Sequence, residues 1–247
     1  MINITRNDRV VHLAIDVPPV NVLDAAALRE MADKLEELEQ DETIAAVLVS
    51  GAGRCFSAGA SVEDHEKAKA PDMIGALADV CKRLAQFPAA TVALVHGPCM
   101  GGGLEVAMFC DFVVADPSAQ FGVPEITLAF FPPFACAELP RLVGRQNASY
   151  LALTGEAVDA DKALGMGLVQ KIMDQDAWPK VGVKFNRLSL PVVRMTKQAL
   201  LKGTGGVDHD GLAWQCKKFL DDLYKTEDVA EGIASFAEKR RPEWKHK

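Results

Sequence analysis

Three consecutive glycines at 101–103 are followed closely by an acidic residue, Glu105, in the stretch CMGGGLEVAMFCD. Glycine has no Cβ, so the backbone at Gly101 and Gly102 can turn sharply and come close to a ligand. A helix starting there would present unpaired N–H groups, which suit an anion or an oxygen that gains charge during a reaction. Glu105 would then be placed for proton transfer; alternatively, it only complements the positive end of the helix.

A second loop of small residues, GAGRCFSAGAS at 51–61, repeats this arrangement earlier in the chain. It follows the apolar run 44–50 and precedes a predicted helix at 72–86, as the glycine loop follows the apolar run 91–95. Two such units predict parallel strands with their loops at the carboxyl ends, the usual place for ligands. The loop therefore either contacts a ligand or is only a tight turn.

The first half of the chain contains the other predicted strands. Residues 2–17 predict a β-hairpin with its turn at 7–8, and Asp24 is placed to cap a helix that runs to about residue 40. Short strands are predicted at 111–115 and 119–123, before Pro124 turns the chain.

The second half is mostly helical in pattern. Candidate helices lie at 151–154, 157–164, 189–201, 211–223 and from 227 onward, with a break at 203–206. No long polar linker separates the halves, so we predict an α/β fold with a core at 1–190 and a packed helical region at 191–247.

Composition narrows the class of protein. Hydrophobic residues make up 49% and charged residues 25% of the chain, which is ordinary for a soluble domain. The net charge of −7 argues against a general nucleic-acid binder. No stretch approaches the roughly 20 apolar residues of a membrane span, and the N-terminus lacks the core of a signal peptide, so we expect a cytoplasmic protein. The six scattered cysteines predict free thiols, and no metal site is expected.

Five segments in fixed order closely resemble the crotonase, or enoyl-CoA hydratase, superfamily over nearly the whole chain. They are FSAGAS (56–61), GPCMGGGLEVAMFCD (97–111), FGVPEI (121–126), LPRLVG (139–144) and EGIASFAEKRRPEW (231–244). The resemblance implies a spiral of ββα repeats followed by a C-terminal helical region that forms trimers, often dimers of trimers. It also implies an acyl-CoA thioester as substrate, with no cofactor beyond the CoA that the substrate carries.

The resemblance further implies roles for individual residues. The backbone N–H groups of Ala60 and Gly102 match the pair that holds the thioester oxygen, and Glu105 and Glu125 match the two catalytic glutamates of hydratases. Alternatively, Glu125 is only a turn carboxylate after Pro124. Substrate or CoA contacts are implied for Ala58, Ser61, Val62, Val20, Val22, Gly101, Phe131, Phe134, Phe236 and Lys239. The last two match positions that close a neighbouring subunit's pocket, although Lys239 could equally be a helix-end cation.

The sequence departs from the commonest hydratase pattern after PEI, where FFPPFAC at 130–136 replaces a glycine-rich stretch. Three phenylalanines either make the acyl pocket bulkier and suited to a flat ring, or pack in the core. Ser61 stands where Asp is frequent, and His65 is interpreted as solvated rather than as part of the CoA entrance. These departures resemble the cyclohexa-1,5-diene-1-carbonyl-CoA hydratases of anaerobic benzoyl-CoA breakdown, which form 6-hydroxycyclohex-1-ene-1-carbonyl-CoA.

Three other functions remain open at this stage. A general short-chain 2-enoyl-CoA hydratase is the first alternative, and a crotonase-type isomerase or thioesterase is the second. The third is a non-catalytic relative that binds acyl-CoA or RNA, although the negative charge speaks against RNA.

Overall fold

The computed structural model describes residues 1–203, 222 and 225–247, and in these residues strands alternate with helices. The strands are β1 (Ile2–Asn7), β2 (Val10–Ile15), β3 (Val22–Leu23), β4 (Ala46–Gly51), β5 (Gly59–Ala60), β6 (Ala90–Val95), β7 (Pro98–Met100), β8 (Phe112–Ala115), β9 (Gln120–Gly122), β10 (Val158–Asp159) and β11 (Lys171–Ile172). The helices are α1 (Ala25–Glu39), α2 (Ala70–Gln86), α3 (Gly102–Met108), α4 (Pro133–Thr154), α5 (Ala160–Met166), α6 (Pro179–Phe185), α7 (Leu190–Gly203) and α8 (Glu227–Ala237). Short 3₁₀ helices lie at Glu63–His65, Pro124–Leu128 and Gln175–Ala177.

The strands form one large sheet and a layer of shorter strands. The large sheet has the order β1-β2-β4-β6-β8-β11, and all neighbours are parallel except β1 and β2. In the second layer β3 pairs with β5, β7 pairs with β9, and a bridge between Ser57 and Cys99 joins the two groups. The chain thus runs from a long strand to a short strand to a helix three times, from β4 to α2, β6 to α3 and β8 to α4. This is the predicted spiral of ββα turns.

The core lies on both faces of the large sheet. Strands β4 and β6 are buried along their whole length, as the continuous apolar runs predicted. Their inner face packs against α1, α2 and α3, and their outer face packs against α6 and α7 through residues such as Val181 and Val193. The C-terminal helix α7 therefore covers the sheet face opposite to α3. The division into regions at residue 190 stays a prediction.

Helix α1 begins where the sequence predicted. The Asp24 side chain accepts a hydrogen bond from the Ala27 N–H at 2.7 Å, which satisfies one of the unpaired donors of the first turn. The predicted helices from 189 and from 227 correspond to α7 and α8. The candidate helix at 211–223 and most of the predicted break at 203–206 lie outside the described residues, apart from single positions.

Three expectations about local structure are wrong, and one helix was missed. Helix α4 starts at Pro133, well before the predicted 151–154, and it continues through a kink at Gly144, where φ is 76°. A proline fits the first position of a helix because the N–H it lacks has no acceptor there. The hairpin turn lies at 8–9 and not at the predicted 7–8, and residues 158–159, expected to be helical, form β10. Helix α6 was not predicted. Within the described ranges, no helix is both long enough and apolar enough to cross a membrane.

Candidate active site

The pairing of β3 with β5 fixes the direction of the Ala60 amide. Leu23 lies opposite Ala60, and the Ser61 N–H donates to the Leu23 carbonyl at 2.9 Å. Because successive N–H groups of an extended strand point to opposite sides, the Ala60 N–H points away from β3. Gly102 lies close to this amide, since a Cβ on Gly102 would be 3.1 Å from the Ala60 nitrogen. The two amides that the sequence singled out are therefore close neighbours.

The glycine loop needs glycine for two different reasons. Gly101 has φ = 49° and ψ = −124°, a backbone conformation that other residues rarely adopt. A Cβ there would also lie 2.6 Å from Oε1 of Glu125. Gly102 is the first residue of α3, so its N–H has no acceptor within the helix. The loop thus brings the Glu125 carboxyl against the backbone that carries the Gly102 amide.

Glu105 lies in α3 and is only 2% exposed. Its Oε1 accepts hydrogen bonds from the N–H groups of Phe134 at 3.0 Å and Ala135 at 2.9 Å, in the first turn of α4. Burial raises the pKa of Glu105 to about 7, the Glu125 charge acts in the same direction, and the two amides act against it. The carboxyl can therefore hold or release a proton near neutral pH.

Glu125 lies in the first turn of the 3₁₀ helix that follows Val123 and is half-buried. Its Oε2 is buried and has no hydrogen-bond partner among the described residues. Burial raises the pKa of Glu125, and the nearby His65 acts in the opposite direction. Two neighbouring carboxyls, both with raised pKa values, form a pair that can divide acid and base roles.

Two further side chains lie near this pair. Cys136 is exposed in the first turn of α4, and its pKa is raised by burial and by the charges of Glu105 and Glu125. His65 is half-buried, its Nδ1 lies 2.7 Å from the Ser61 carbonyl, and its ring centroid lies 4.9 Å from that of Phe130. His65 is therefore only partly solvated.

The other residues with implied contacts divide into three groups. Val20 and Val22 are half-buried beside the small-residue loop, where the Ala58 N–H donates to the Val20 carbonyl at 2.9 Å. Ser61 continues that loop, and Val62 beyond it is 63% exposed. Lys239 is exposed after α8, with no hydrogen bond or ion pair to these loops in the described part of the chain, and the Phe236 side chain lies outside what is described.

The phenylalanines after PEI also differ from one another. Phe131 is 68% exposed and Phe130 is 42% exposed, so neither is a core residue. Phe134 is half-buried and packs against the main core. The alternative of core packing therefore describes Phe134 in part and the other two not at all.

Sequence reasoning missed the donors of α4 and the position of Phe130. The signal for the donors was present, because Pro132-Pro133 is a typical helix start whose following N–H groups have no partner in the helix. Phe130 had no such signal, since its contact with His65 joins residues that are far apart in sequence. Among the described residues, no group of three or more His, Cys, Asp or Glu is arranged to hold a metal ion.

Comparison with known proteins identifies the class and then the family. The solved structures that match over nearly the whole chain include DspI of Pseudomonas aeruginosa, with 31% identity, a TM-score of 0.93, and coverage of 99% of this chain and 96% of that one. An enoyl-CoA hydratase of Bacillus anthracis matches with 28% identity, a TM-score of 0.92, and coverage of 100% and 99%. The fold is therefore the crotonase fold, as predicted. The chain belongs to the enoyl-CoA hydratase/isomerase family, whose sequence model matches residues 5–247.

Curated relatives carry hydratase names. A probable enoyl-CoA hydratase of Rhizobium meliloti (strain 1021) is 34% identical, covering 92% of this chain and 91% of its own. The 2,3-dehydroadipyl-CoA hydratase of Escherichia coli (strain K12) is also 34% identical, covering 98% and 97%. The cyclohexa-1,5-dienecarbonyl-CoA hydratase of Thauera aromatica is 30% identical, covering 98% and 95%. Hydratases of this kind are hydro-lyases, which agrees with the enzyme class predicted from the sequence.

Proposed function

We propose that the protein adds water to the conjugated double bond of an acyl-CoA thioester. One observation carries the proposal: the amides of Ala60 and Gly102 are neighbours, and the buried carboxyls of Glu105 and Glu125 adjoin the same glycine loop. In the proposed complex the thioester oxygen accepts from both amides, and the unsaturated carbons face both carboxyls.

The two amides would supply the electrostatic part of catalysis. Attack of water on the carbon β to the thioester moves an electron pair into the conjugated system and places negative charge on the thioester oxygen. Preorganised N–H donors in a site sheltered from water stabilise that charge, and one such donor typically contributes about 3 kcal/mol.

The two glutamates would divide the proton transfers. The Glu125 carboxylate takes a proton from water while the C–O bond forms, and the Glu105 carboxylic acid donates its proton to carbon. The pKa of Glu105 near 7 supports its role as the acid, because a fraction of molecules then holds that proton at neutral pH. A proton then passes from the Glu125 carboxyl to the Glu105 carboxylate, which restores the starting state. The net reaction therefore adds one water.

For the acyl group we propose a flat ring, cyclohexa-1,5-diene-1-carbonyl-CoA. Water would add at the β carbon, the charge would spread into a dienolate, and the proton would arrive at its remote end, which gives 6-hydroxycyclohex-1-ene-1-carbonyl-CoA. Support comes from Phe130 and Phe134, which border the two carboxyl-bearing segments, and from the Thauera aromatica relative with that name. This reaction belongs to the breakdown of benzoyl-CoA.

A general 2-enoyl-CoA hydratase of short-chain substrates is the second candidate. Support for it comes from two relatives that are more similar to this chain: the Rhizobium meliloti protein is named only as a probable enoyl-CoA hydratase, and the Escherichia coli protein is named for 2,3-dehydroadipyl-CoA. The same pair of amides and carboxyls would serve both reactions, so the acyl pocket decides between them.

The deciding experiment compares two substrates with the purified protein. We expect rapid loss of the dienoyl-CoA ultraviolet band and little turnover of crotonyl-CoA, with a product heavier by one water. Fast hydration of crotonyl-CoA alone would support the general hydratase. A product of unchanged mass would indicate isomerisation, and free CoA would indicate thioester hydrolysis.

We also propose that the protein is a cytoplasmic trimer or dimer of trimers and needs no cofactor besides the CoA of its substrate. The family resemblance supports a partner subunit near Lys239, and exposed apolar side chains such as Leu153 would be covered by assembly. Light scattering of the purified protein measures its mass, and a monomer would contradict the assembly. Activity after exhaustive dialysis against a chelator tests the absence of a metal or cofactor.

A further inference from the structure

A contact between two rings joins segments that are far apart in the sequence. His65 ends the short 3₁₀ helix after β5, and Phe130 lies between the 3₁₀ helix Pro124–Leu128 and α4. Their centroids are 4.9 Å apart and their planes are inclined by 51°, a favourable tilted arrangement. This contact links the loop of the Ala60 amide to the turn of Glu125.

Each ring is anchored to one half of the site. The His65 Nδ1 lies 2.7 Å from the Ser61 carbonyl, and since a carbonyl only accepts, this nitrogen carries the hydrogen. Ser61 is the residue directly after Ala60. On the other side, the Phe130 N–H donates to the Glu125 carbonyl at 3.1 Å. A chain of direct contacts thus runs from one amide donor to one carboxyl-bearing residue.

The segment that carries Phe130 is exposed to solvent, although its first residues, Ile126 and Thr127, adjoin Gly155 at the end of α4. Residues 126–131 are all exposed, and Phe130 itself is 42% exposed. A large apolar side chain in such a segment gains stability chiefly from the ring that it meets. His65 lies close enough to Glu125 to act on the pKa of its carboxyl, whose Oε2 has no partner in the described residues.

We propose that His65 and Phe130 form a bridge that positions Glu125 relative to the Ala60 amide and limits the acyl groups that fit beneath it. The inference rests on the proposed acyl-CoA site and adds two positioning residues to it. In the proposed complex the two rings would present flat faces to the acyl group, which would suit a planar ring and leave less room for a bent chain. Removing either ring would release the Glu125 turn, and small misplacements of a catalytic group are costly.

A double-mutant cycle tests the bridge, with His65→Ala, Phe130→Ala and the double variant. We expect each single variant to lower kcat about 10-fold with little change in KM, because CoA contacts are retained. The double variant should be about as slow as either single variant, since the bridge is lost only once. His65→Asn keeps an N–H near the Ser61 carbonyl but has no ring, so it should be about as slow as His65→Ala.

Leu128→Ala is the matched control, since Leu128 is an apolar residue on the same turn and is 53% exposed. As a single substitution it should leave kcat unchanged. In combination with His65→Ala, the two effects on kcat should simply add. Thermal unfolding midpoints of all variants should stay within about 4 °C of the wild type, which separates the bridge from general loss of structure.

Binding of saturated esters gives a second readout that needs no turnover. Calorimetry with cyclohexanecarbonyl-CoA and butanoyl-CoA should show that the bridge variants shift the ratio of the two Kd values about 5-fold toward the linear ester. The bridge would be overturned if the effects of His65→Ala and Phe130→Ala on kcat and on the ratio of Kd values were additive. It would also be overturned if Leu128→Ala had an effect as large as theirs. If the wild type hydrates no enoyl-CoA but the two bridge substitutions change the ratio of Kd values non-additively, the proposed function fails and the bridge stands. Failure of the wild type to bind either ester would overturn both.

Discussion

Two ionisable clusters at opposite ends of the stretch 105–111 are built in opposite ways. At one end, Glu105 is buried beside a second carboxyl, Glu125, and the described residues supply no cation to either by a salt bridge. At the other end, Asp111 meets a buried lysine, and Nζ of Lys197 lies 2.9 Å from Oδ2 of Asp111. In the first cluster the buried acid has no salt bridge to a cation among the described residues. In the second cluster the acid forms an ion pair with a lysine.

In the lysine cluster, formed by Lys197, Asp111 and Thr91, no buried side-chain polar atom lacks a partner among the described residues. Besides Asp111, Nζ of Lys197 donates to the carbonyls of Leu84 and Ala89 at 3.2 Å and approaches Oγ1 of Thr91 at 3.4 Å. Oδ2 of Asp111 also accepts from the Thr91 N–H at 2.8 Å. Burial lowers the pKa of Lys197, and Asp111 acts against this shift. The cluster ties α7 to the large sheet.

The glutamate cluster is only half satisfied. Two amides hold Oε1 of Glu105, whereas Oε2 of Glu125 is buried without a partner in the described part of the chain. Unsatisfied carboxyls with raised pKa values destabilise a fold, so their presence indicates a use. Both clusters are buried, so burial alone does not indicate a functional site. A buried carboxyl that lacks a hydrogen-bond partner and lies next to backbone N–H groups without an acceptor does indicate one.

The largest expected effect comes from changing the unsatisfied carboxyl. Glu125→Gln keeps the shape but cannot take a proton, so we expect kcat to fall about 10³-fold while the Kd for a saturated acyl-CoA stays similar. Steady-state kinetics and calorimetry measure the two quantities. Because an uncharged amide fits the pocket at least as well, the free energy of unfolding should not fall. A wild-type rate would remove Glu125 from the mechanism.

The next effect concerns the amide of Gly102. Gly102→Pro removes this N–H at the first position of α3, where proline fits the helix, and should lower kcat by about 10²- to 10³-fold.

Gly102→Ala is its control, because it adds a Cβ at the same place, 3.0 Å from the Ala60 Cβ, but keeps the N–H. We expect the alanine variant to be clearly faster than the proline variant in the same assay. Equal rates for the two variants would show that crowding, and not a lost donor, explains the effect.

The sequence predicted the half of the site that depends on local patterns. Small-residue loops after buried runs predicted two loops at the carboxyl ends of parallel strands, and the family resemblance of the ordered motifs implied the spiral and the pairing of Ala60 with Gly102. Glu105 in the first turn of α3 followed from the glycine stretch. These features are encoded within a few neighbouring residues, where turn chemistry and periodicity are informative.

The rest depended on contacts between distant segments. The burial of Lys197 has no signature in α7, because a lysine in an amphipathic helix usually lies at the surface and only the sheet beneath makes it a core residue. The ring contact of His65 with Phe130 likewise joins two loops whose relative position only the complete spiral fixes. The early start of α4 was missed because the apolar run before it dominated the pattern, although Pro133 marked the helix start.

A third prediction uses pH to separate the clusters. The pKa of Glu105 is raised from 4.5 to about 7, so the native state holds a proton there that the unfolded state has lost. Stability contributed by this proton is present below pH 4.5 and is lost as pH rises toward 7, by about 2–3 kcal/mol. Urea unfolding across this range measures the loss.

The glutamine variant at the same position provides the comparison. Glu105→Gln cannot ionise, so its free energy of unfolding should fall less than that of the wild type over the same pH range. The difference between the two curves isolates the contribution of Glu105 from those of all other carboxyls. Parallel curves would mean that burial of Glu105 does not shift its pKa in the folded protein.

The smallest effect is expected in the lysine cluster. Asp111→Asn leaves the buried Lys197 with neutral partners only, and because the Asp111 side chain is 29% exposed we expect a loss of about 2 kcal/mol in the free energy of unfolding, less than for a fully buried pair. Enzyme kinetics should be unchanged, since α7 and the acyl site lie on opposite faces of the large sheet. Lys197→Met introduced together with Asp111→Asn removes both charges and should restore most of the stability. If the double variant is instead the least stable of the set, the ion pair itself stabilises the fold, and if kcat falls in parallel, the two clusters are coupled through α3 and are not independent.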